Sequence, residues 1–347
     1  MKLIVVMGRE PAYTRNKVIL DGLRAEGVEL VECVDSAGNY PARFLKVMGK
    51  FLAGSRGDSD AVFVGFFGQP LMPFVSRLTR KPVALDAFLS GYDTMCFDRK
   101  KFPPDSARGR LFYRLDKSAC ERADVVLLDT NAYVDYFVET FGLAREKFRR
   151  VFVGAETNVF YPRDDGKNDG AFNVFYYCTF LPVHGVEHVL DAARILEGER
   201  DIRFKVVGAQ KDKAGTLSGN IELVEWIDYS KLPESIAAAD ICLGGHFSNV
   251  AKASRVIAGK TFQFLAMRKA TIVGDNQANR ELLTHKKDTL MVKMADSESL
   301  ASAIRELKQD EGLLNRIAGE GYRTFEENCT PEIIGAQVAR IIREIIG

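Results

Sequence analysis

The feature that most constrains the fold is a regular alternation of short apolar runs with helix-length amphipathic segments. Six runs lie in the first half of the chain, at 3–7, 28–31, 61–67, 83–85, 125–128 and 150–153, and six in the second, at 173–178, 203–207, 221–224, 241–243, 271–273 and 290–292. Buried strands that alternate with helices are typical of wound parallel sheets. The sequence therefore predicts an α/β protein with two tandem Rossmann-like domains.

A polar, turn-rich segment, Pro162–Gly170, interrupts this alternation and is typical of an interdomain linker. We predict an N-terminal domain over 1–161, the linker over 162–170 and a second domain over 171–328. After the last apolar run the pattern is entirely helical, and Pro331 is well placed to start a final helix. We expect residues 329–347 to cross back and pack on the first domain.

The cysteine pattern, the apolar runs and the charge balance indicate the compartment in which the protein works. The six cysteines are scattered without a Cys-x-x-Cys pair, which predicts reduced core residues in a cytoplasmic protein. The first apolar run is too short for a signal peptide and is read as a strand. No apolar stretch approaches the length of a membrane span. Residues 1–163 carry 25 Lys/Arg against 20 Asp/Glu, an excess that indicates either solvated surface or an anionic partner such as the inner membrane face.

One amphipathic segment could mediate contact with a membrane surface. Residues 43–52 place Phe44, Val47, Met48 and Phe51 on one helical face, with basic residues largely elsewhere. Such a face is typical of a helix that docks on an anionic membrane, and equally of a helix that packs against its own sheet. The sequence leaves both readings open and favours packing against the sheet.

A basic segment in the second half has the strongest chemical character. Lys252, Arg255 and Lys260 precede or open a predicted helix, which also carries Gln263 and runs into a strand ending at Gly274-Asp275. Helix N-termini attract anions, and cations placed there reinforce this attraction. The segment therefore predicts a diphosphate site, the alternative being an ordinary solvated loop.

The segments around this site occur in a recognisable order: Val174–Ala193, Phe204–Gly208, Val224–Ile227, Ala239–Gly245, Lys260–Met267 and Asn279–Leu283. Together they resemble the donor domain of the GT-B-fold glycosyltransferases of retaining family 4. The resemblance implies two domains facing across a cleft and transfer of a hexosyl group (EC 2.4) from a UDP or GDP sugar with retention. It also implies that neither a metal nor a cofactor is required.

The resemblance assigns candidate donor-binding positions, with departures from the family pattern. Thr179 and His184 stand where many members place an Arg and a Lys on the diphosphate, so we expect Thr179 to hydrogen-bond phosphate and protonated His184 to pair with it. Arg255 and Gln263 stand at the two usual glutamate positions, and Gln263 is expected to contact ribose. The remaining donor-binding candidates are Gly208, Trp226, His246, Lys252 and Lys260. Trp226 is expected either to stack on the base or to be a core or cover residue, and His246 either to belong to the site or to be a simple loop residue.

The candidate catalytic residues are His184, Lys260 and Asp86, the last following a strand in the first domain. Gly8 and Arg15 follow the first strand and are expected, with Asp86, to line the acceptor side of the cleft. Their segment is not a Gly-x-Gly-x-x-Gly loop, which argues against a nicotinamide cofactor. His184 and His188 lie at helical spacing, but no third ligand is near, so no metal site is predicted.

The sequence thus predicts a metal-independent retaining glycosyltransferase with a nucleotide-sugar donor and a carbohydrate or lipid-linked acceptor. A nucleic-acid partner is not expected. Two alternatives stay open: a GT-B-fold sugar-nucleotide epimerase, and a catalytically silent sugar-nucleotide-binding or scaffold protein, which the missing glutamates permit.

Overall fold

The chain folds into two compact units. The computed structural model describes residues 1–8, 12–35, 39–54, 57–163, 170–208 and 217–347. Met1–Gly154 together with Thr330–Gly347 form the first unit, and Ala155–Cys329 form the second. The division falls at 154–155, whereas the sequence predicted the end of the first domain at 161. Of the predicted linker, residues 164–169 lie outside the described residues, and the rest belongs to the second unit.

Each unit contains a six-stranded parallel sheet, which confirms the predicted fold class. The strand orders are β2-β1-β3-β4-β5-β6 and β12-β11-β10-β7-β8-β9. The strands of the first sheet are β1 (Lys2–Val6), β2 (Glu29–Cys33), β3 (Ala61–Val64), β4 (Val83–Asp86), β5 (Val125–Leu128) and β6 (Phe148–Arg150). Those of the second are β7 (Phe172–Tyr177), β8 (Ile202–Val207), β9 (Ile221–Val224), β10 (Ile241–Leu243), β11 (Ala270–Gly274) and β12 (Leu290–Val292).

Helices fill the segments between strands. In the described residues they are α1 (Thr14–Ala25), α2 (Tyr40–Gly54), α3 (Met72–Leu78), α4 (Ala107–Arg122), α5 (Asn131–Phe141), α6 (Val186–Ile195), α7 (Leu232–Ala237), α8 (Gly259–Ala266), α9 (Ser297–Gln309), α10 (Glu311–Asn328) and α11 (Pro331–Ile346). Between β11 and β12 the described helical structure is a single 3-10 turn, at Asn279–Glu281. None of the described helices has the length and apolar character needed to cross a bilayer.

The predicted apolar face of α2 packs into the first unit. Val47, Met48 and Phe51 are buried and Phe44 is half-buried. The reading of this face as a membrane-docking surface is therefore wrong, because its side chains are already covered. The six cysteine side chains, all in the described part of the chain, are buried and form no disulfide, as expected for core residues.

The C-terminal helix packs against α1, as predicted. Thr330 caps it by accepting a hydrogen bond from the Ile333 N–H, and Pro331 occupies its first turn. The two helices meet at Gly22 and Gly335. A Cβ atom added to Gly22 would lie 1.9 Å from the Pro331 carbonyl oxygen, and one added to Gly335 would lie 2.0 Å from the Gly22 carbonyl carbon. Only glycine permits this backbone approach, which lets the flanking apolar side chains join one core.

A buried ion pair joins α1 to the end of β4. Arg15 donates from Nε to both Asp86 oxygens, at 2.9 and 2.8 Å, and from NH2 to Oδ1 at 2.7 Å. Its NH1 donates to the Val151 carbonyl oxygen at 2.9 Å. Both side chains are 0% exposed. The prediction that Arg15 and Asp86 line an acceptor cleft is therefore corrected: each satisfies the charge of the other inside the unit, and neither presents a surface to a substrate.

We predict that Gly22→Ala and Gly335→Ala each lower the free energy of unfolding by about 2 to 3 kcal/mol, because the added methyl group overlaps backbone atoms that cannot move aside. Gly49→Ala is the matched control: its Cβ meets nothing within 4 Å in α2, so stability should stay constant or rise by up to about 1 kcal/mol. Urea unfolding measures all three. Equal stability of the two contact variants and the control would contradict the close helix crossing.

We predict that Asp86→Asn destabilises the first unit by about 3 to 5 kcal/mol, because Arg15 is left charged and buried without its partner. Asp58→Asn, which removes an exposed partner of Lys2, should change stability by less than about 1 kcal/mol. The double variant Arg15→Met/Asp86→Leu should recover much of the loss, since no buried charge remains. A fully stable Asp86→Asn protein would show that the pair does not support the fold.

Candidate functional site

The second sheet reverses its winding between β7 and β10. From β7 the chain proceeds outward to β8 and β9, whereas from β10 it proceeds the other way to β11 and β12. Ligands of open α/β sheets bind beyond the carboxyl ends of the strands at such a switch point. The segments that follow β7 and β10 at this position contain His184 and His246, two of the predicted site residues.

These two histidine rings stack on each other across the switch point. Their centroids are 5.4 Å apart, with an angle of 12° between the ring planes. The Nδ1–H of His184 donates to the carbonyl oxygen of Thr179, which leaves Nε2 as a hydrogen-bond acceptor. Thr179 itself lies exposed just after β7.

Burial and nearby lysine charges keep both rings neutral. Burial, followed by the Lys260 and Lys252 charges, lowers the pKa of His184 despite its bond to Thr179. Burial is also the main cause of the lowered pKa of His246, followed by His184, Lys260 and Lys252. The prediction that protonated His184 pairs with phosphate is therefore corrected: at neutral pH this imidazole carries no charge to offer.

Glycines hold the two loops of the site in backbone contact. Gly185 has a φ of +64°, and a Cβ there would lie 2.5 Å from the Ser248 nitrogen. Gly208, at the end of β8, has a φ of +86°, and its Cβ would lie 2.0 Å from the Cys178 carbonyl oxygen. Both positions thus need glycine for the local fold. Contact of Gly208 with a donor stays a prediction.

Lys260 is the group at the site whose charge is least satisfied. It lies in the first turn of α8 and is only 5% exposed. Its ammonium nitrogen is 4.1 Å from the ring centroid of Tyr176 and 5.4 Å from that of Tyr177. Among the described residues this nitrogen has no hydrogen-bond partner. Burial lowers the pKa of Lys260 to about 8. The described part of the site therefore holds a cation against aromatic faces, next to a helix N-terminus.

The second predicted cation lies close by. Lys252 is 5% exposed and belongs to the 3-10 turn Ala251–Ser254. Its charge lowers the pKa of both His184 and His246, as the charge of Lys260 does. Both ammonium groups therefore add positive potential around the two histidine rings. Arg255 ends this turn, half-buried, and its backbone N–H donates to the Lys252 carbonyl oxygen at 3.0 Å.

Gln263 belongs to a part-buried hydrogen-bond network. Its Oε1 accepts from the Tyr177 hydroxyl, and its Nε2 donates to the Tyr229 hydroxyl oxygen at 3.4 Å. Tyr229 in turn donates to Glu156 Oε2 at 2.5 Å. The amide predicted to contact ribose is therefore engaged by protein hydroxyl groups in this state.

Four residues of this neighbourhood escaped the sequence analysis. Tyr176 and Tyr177 end a strand that was identified correctly, but their side chains carried no signal of proximity to Lys260. Glu156 and Tyr229 lie far from Gln263 in sequence, and only folding brings them together.

The other predicted positions differ in burial. Trp226 follows β9 and is 76% exposed, which excludes the core position and leaves base stacking as a prediction. In the first unit, Gly8 follows β1 beside the β1–β3 switch point, where an added Cβ would lie 3.1 Å from Leu71 Cδ1. Arg15 and Asp86 are in the interior pair described above. Within the described residues no group of three or more His, Cys, Asp or Glu side chains is placed to hold a metal ion.

The sequence of the chain was compared with models of known protein families and with curated proteins. Residues 187–338 match the family model described as glycosyl transferase-like, a segment that covers less than half of the chain. None of the curated proteins matches the chain.

Solved structures match the chain along nearly its whole length. Sucrose-phosphate synthase of Thermosynechococcus elongatus has a TM-score of 0.72 at 14% identity, covering 99% of this chain and 98% of that one. HepE of Anabaena in complex with UDP has a TM-score of 0.72 at 15% identity, covering 99% and 100%. A glycosyltransferase of Rickettsia africae has a TM-score of 0.67 at 13% identity, covering 99% and 98%. The fold is thus that of GT-B glycosyltransferases, which confirms the resemblance predicted from the sequence, while family 4 stays a prediction.

Proposed function

We propose that this chain is a retaining, metal-independent glycosyltransferase whose donor is a nucleoside-diphosphate sugar, with UDP as the nucleotide. The observation that carries the proposal is the Lys260 ammonium, buried at the switch point of the second sheet without a hydrogen-bond partner in the described residues. A buried cation without a counterion is costly, and a bound anion supplies the missing partner.

The electrostatics of the site suit a diphosphate leaving group. When the bond between the anomeric carbon and the phosphate oxygen breaks, negative charge grows on that oxygen. Lys260, Lys252 and the N-terminus of α8 place positive charge where this growth occurs, which lowers the barrier. Three fixed sources of positive charge can do the work that a divalent cation does in other enzymes, which supports a metal-independent reaction.

The family resemblance supports retention as the stereochemical outcome. The acceptor oxygen attacks the anomeric carbon on the face from which the diphosphate departs, and the departing phosphate oxygen takes the acceptor proton. The bond to phosphate breaks as the new glycosidic bond forms, so no carboxylate nucleophile is needed. Neutral His184, whose Nε2 accepts hydrogen bonds, is suited to orient a sugar hydroxyl rather than to neutralise phosphate.

The choice of UDP draws on HepE, a protein of similar fold that has been solved with UDP and with UDP-glucose. The acceptor is proposed to be a carbohydrate or a lipid-linked carbohydrate. HepE has also been solved with UDP and glucose together.

We predict opposite effects of Lys260→Met on stability and on binding. The pKa of Lys260 falls from 10.5 in the unfolded chain to about 8 in the fold. The unfolded chain therefore binds more protons between these values, and stability rises with pH across that window. At pH 7 the buried charge opposes folding by about 3 kcal/mol, so Lys260→Met should stabilise the UDP-free protein. We expect UDP to raise the unfolding temperature of the native chain, and Lys260→Met should abolish this increase.

The matched control is Lys286→Met, which removes an exposed lysine at the amino end of β12. It should leave UDP stabilisation intact and change the UDP-free stability by less than about 1 kcal/mol. A Lys260→Met protein that is stabilised by UDP as strongly as the native chain would refute the assignment of the diphosphate site.

We predict slow release of UDP from a UDP sugar in the absence of acceptor, reduced about 10²- to 10³-fold in kcat by Lys260→Met. Because kcat/KM reports on the free enzyme, it should fall as pH rises through about 8, where Lys260 loses its proton. Lys260→Arg keeps the charge and should remove this alkaline decline. Interconversion of two sugar nucleotides would instead identify an epimerase, and binding without turnover a silent binding protein.

A further inference from the structure

Two neighbouring helices of the first unit expose large apolar side chains. On α2, Leu45 is 70% exposed and Leu52 is 45% exposed, and their spacing of seven residues places them on one helical face. On α3, Phe74 is 48% and Leu78 is 47% exposed, one turn apart. We call these four side chains the apolar strip. It differs from the α2 face that packs inside the unit.

Contact between aromatic rings joins the two parts of the strip. The ring of Phe44 on α2 lies 5.1 Å from that of Phe74 on α3, edge to face. The strip therefore extends across adjacent helices rather than consisting of scattered single residues. Contiguous exposed apolar surface of this kind marks a place where a protein meets another apolar surface.

The charged side chains carried by the two helices of the strip are all basic. Neither α2 nor α3 contains an acidic residue, and residues 39–85 carry seven Lys/Arg against two Asp/Glu, a net charge of +5. This equals the whole positive excess of residues 1–163, so the basic character of the N-terminal half is concentrated here. Lys46, Lys50 and Arg77 are exposed.

Some of this charge is shared with one acidic side chain. Lys46 and Lys50 lie 3.8 and 3.7 Å from the carboxylate oxygens of Asp35. One carboxylate cannot neutralise two lysines, and both ammonium groups remain largely in solvent. Arg77 adds a further charge on α3, beside Phe74 and Leu78.

We propose that the apolar strip docks this unit on the surface of an anionic phospholipid bilayer. Leu45, Leu52, Phe74 and Leu78 enter the boundary between headgroups and acyl chains, while the flanking basic side chains contact lipid phosphates. Apolar side chains edged by cations, without acidic residues between them, are the chemistry that such an interface selects. The inference does not depend on the proposed function and holds for any activity of the chain.

The test is sedimentation of the purified full chain with vesicles of phosphatidylglycerol and phosphatidylcholine, compared with phosphatidylcholine alone. The native chain should bind the anionic vesicles, and more weakly at high salt. Leu45→Gln/Leu52→Gln should lower the partition coefficient by about tenfold or more, because two apolar side chains no longer enter the membrane. Lys46→Gln should lower it about fivefold.

Ile333→Gln is the matched control, since Ile333 is 43% exposed on α11, where Glu332 precedes it. It should bind as the native chain does. The single variant Leu45→Gln changes a side chain that is mostly in water, so it folds even if the double variant does not, and it should weaken binding in the same direction. Absence of native binding, or equal loss in the Ile333 variant, would overturn the proposal.

A second measurement reports insertion directly. Because the native cysteines are buried, a Leu45→Cys protein can be labelled at that position with an environment-sensitive fluorophore. The emission should shift to the blue with anionic vesicles and stay unchanged with phosphatidylcholine alone. A shift that depends on protein concentration without vesicles would show that a second copy of the chain covers the strip, and would overturn the membrane assignment.

Discussion

The chemistry proposed for this chain depends on a buried ammonium group, that of Lys260, which has no hydrogen-bond partner among the described residues. Lys260 is withdrawn from water into a site where it contacts the faces of Tyr176 and Tyr177 and where a neighbouring loop approaches through Gly245. Aromatic faces attract a cation, but far less than a paired anion does. Burial lowers the pKa of the ammonium group, yet at neutral pH it stays largely protonated. The free energy of unfolding is thus lower than it would be with an apolar residue at position 260. A bound anion would restore this free energy by pairing with the ammonium group.

The position of this charge follows from topology and close backbone packing. The reversal of strand order between β7 and β10 opens the sheet at its carboxyl edge, and the loops that follow these strands fill the opening. Gly185 lets the two loops touch through their backbones, which brings His184 and His246 into ring contact. Since the histidines stay neutral beside two lysines, they add nothing to the positive potential of the site, which Lys252, Lys260 and the helix terminus supply among the described residues.

The fold could be read largely from the sequence, because buried parallel strands are short continuous apolar runs, and the observed strands coincide with or overlap the predicted ones. The site could be read only in part. Lys252 and Lys260 were identifiable because helix-start cations have a local signature. Asp86 and Arg15 were misplaced because a residue at a strand end can face a ligand or the interior, and their mutual pairing depends on contacts distant in sequence. The favoured reading of α2, with Val47, Met48 and Phe51 packed inside the unit, is confirmed, whereas the exposure of Leu45 and Leu52 on the same helix was not identified.

Gln263 stands where the resemblance predicted from the sequence implies a glutamate, and the hydrogen bonds around it favour an amide. The Tyr229 hydroxyl carries a single proton and donates it to Glu156, so its oxygen can only accept from a further partner. The side chain at 263 must therefore donate, which Gln263 Nε2 does and a carboxylate cannot. Gln263 Oε1 meanwhile accepts from Tyr177, whose ring faces the Lys260 ammonium group. The hydrogen bonds of Glu156 and Tyr229 thus favour an amide over a carboxylate at 263.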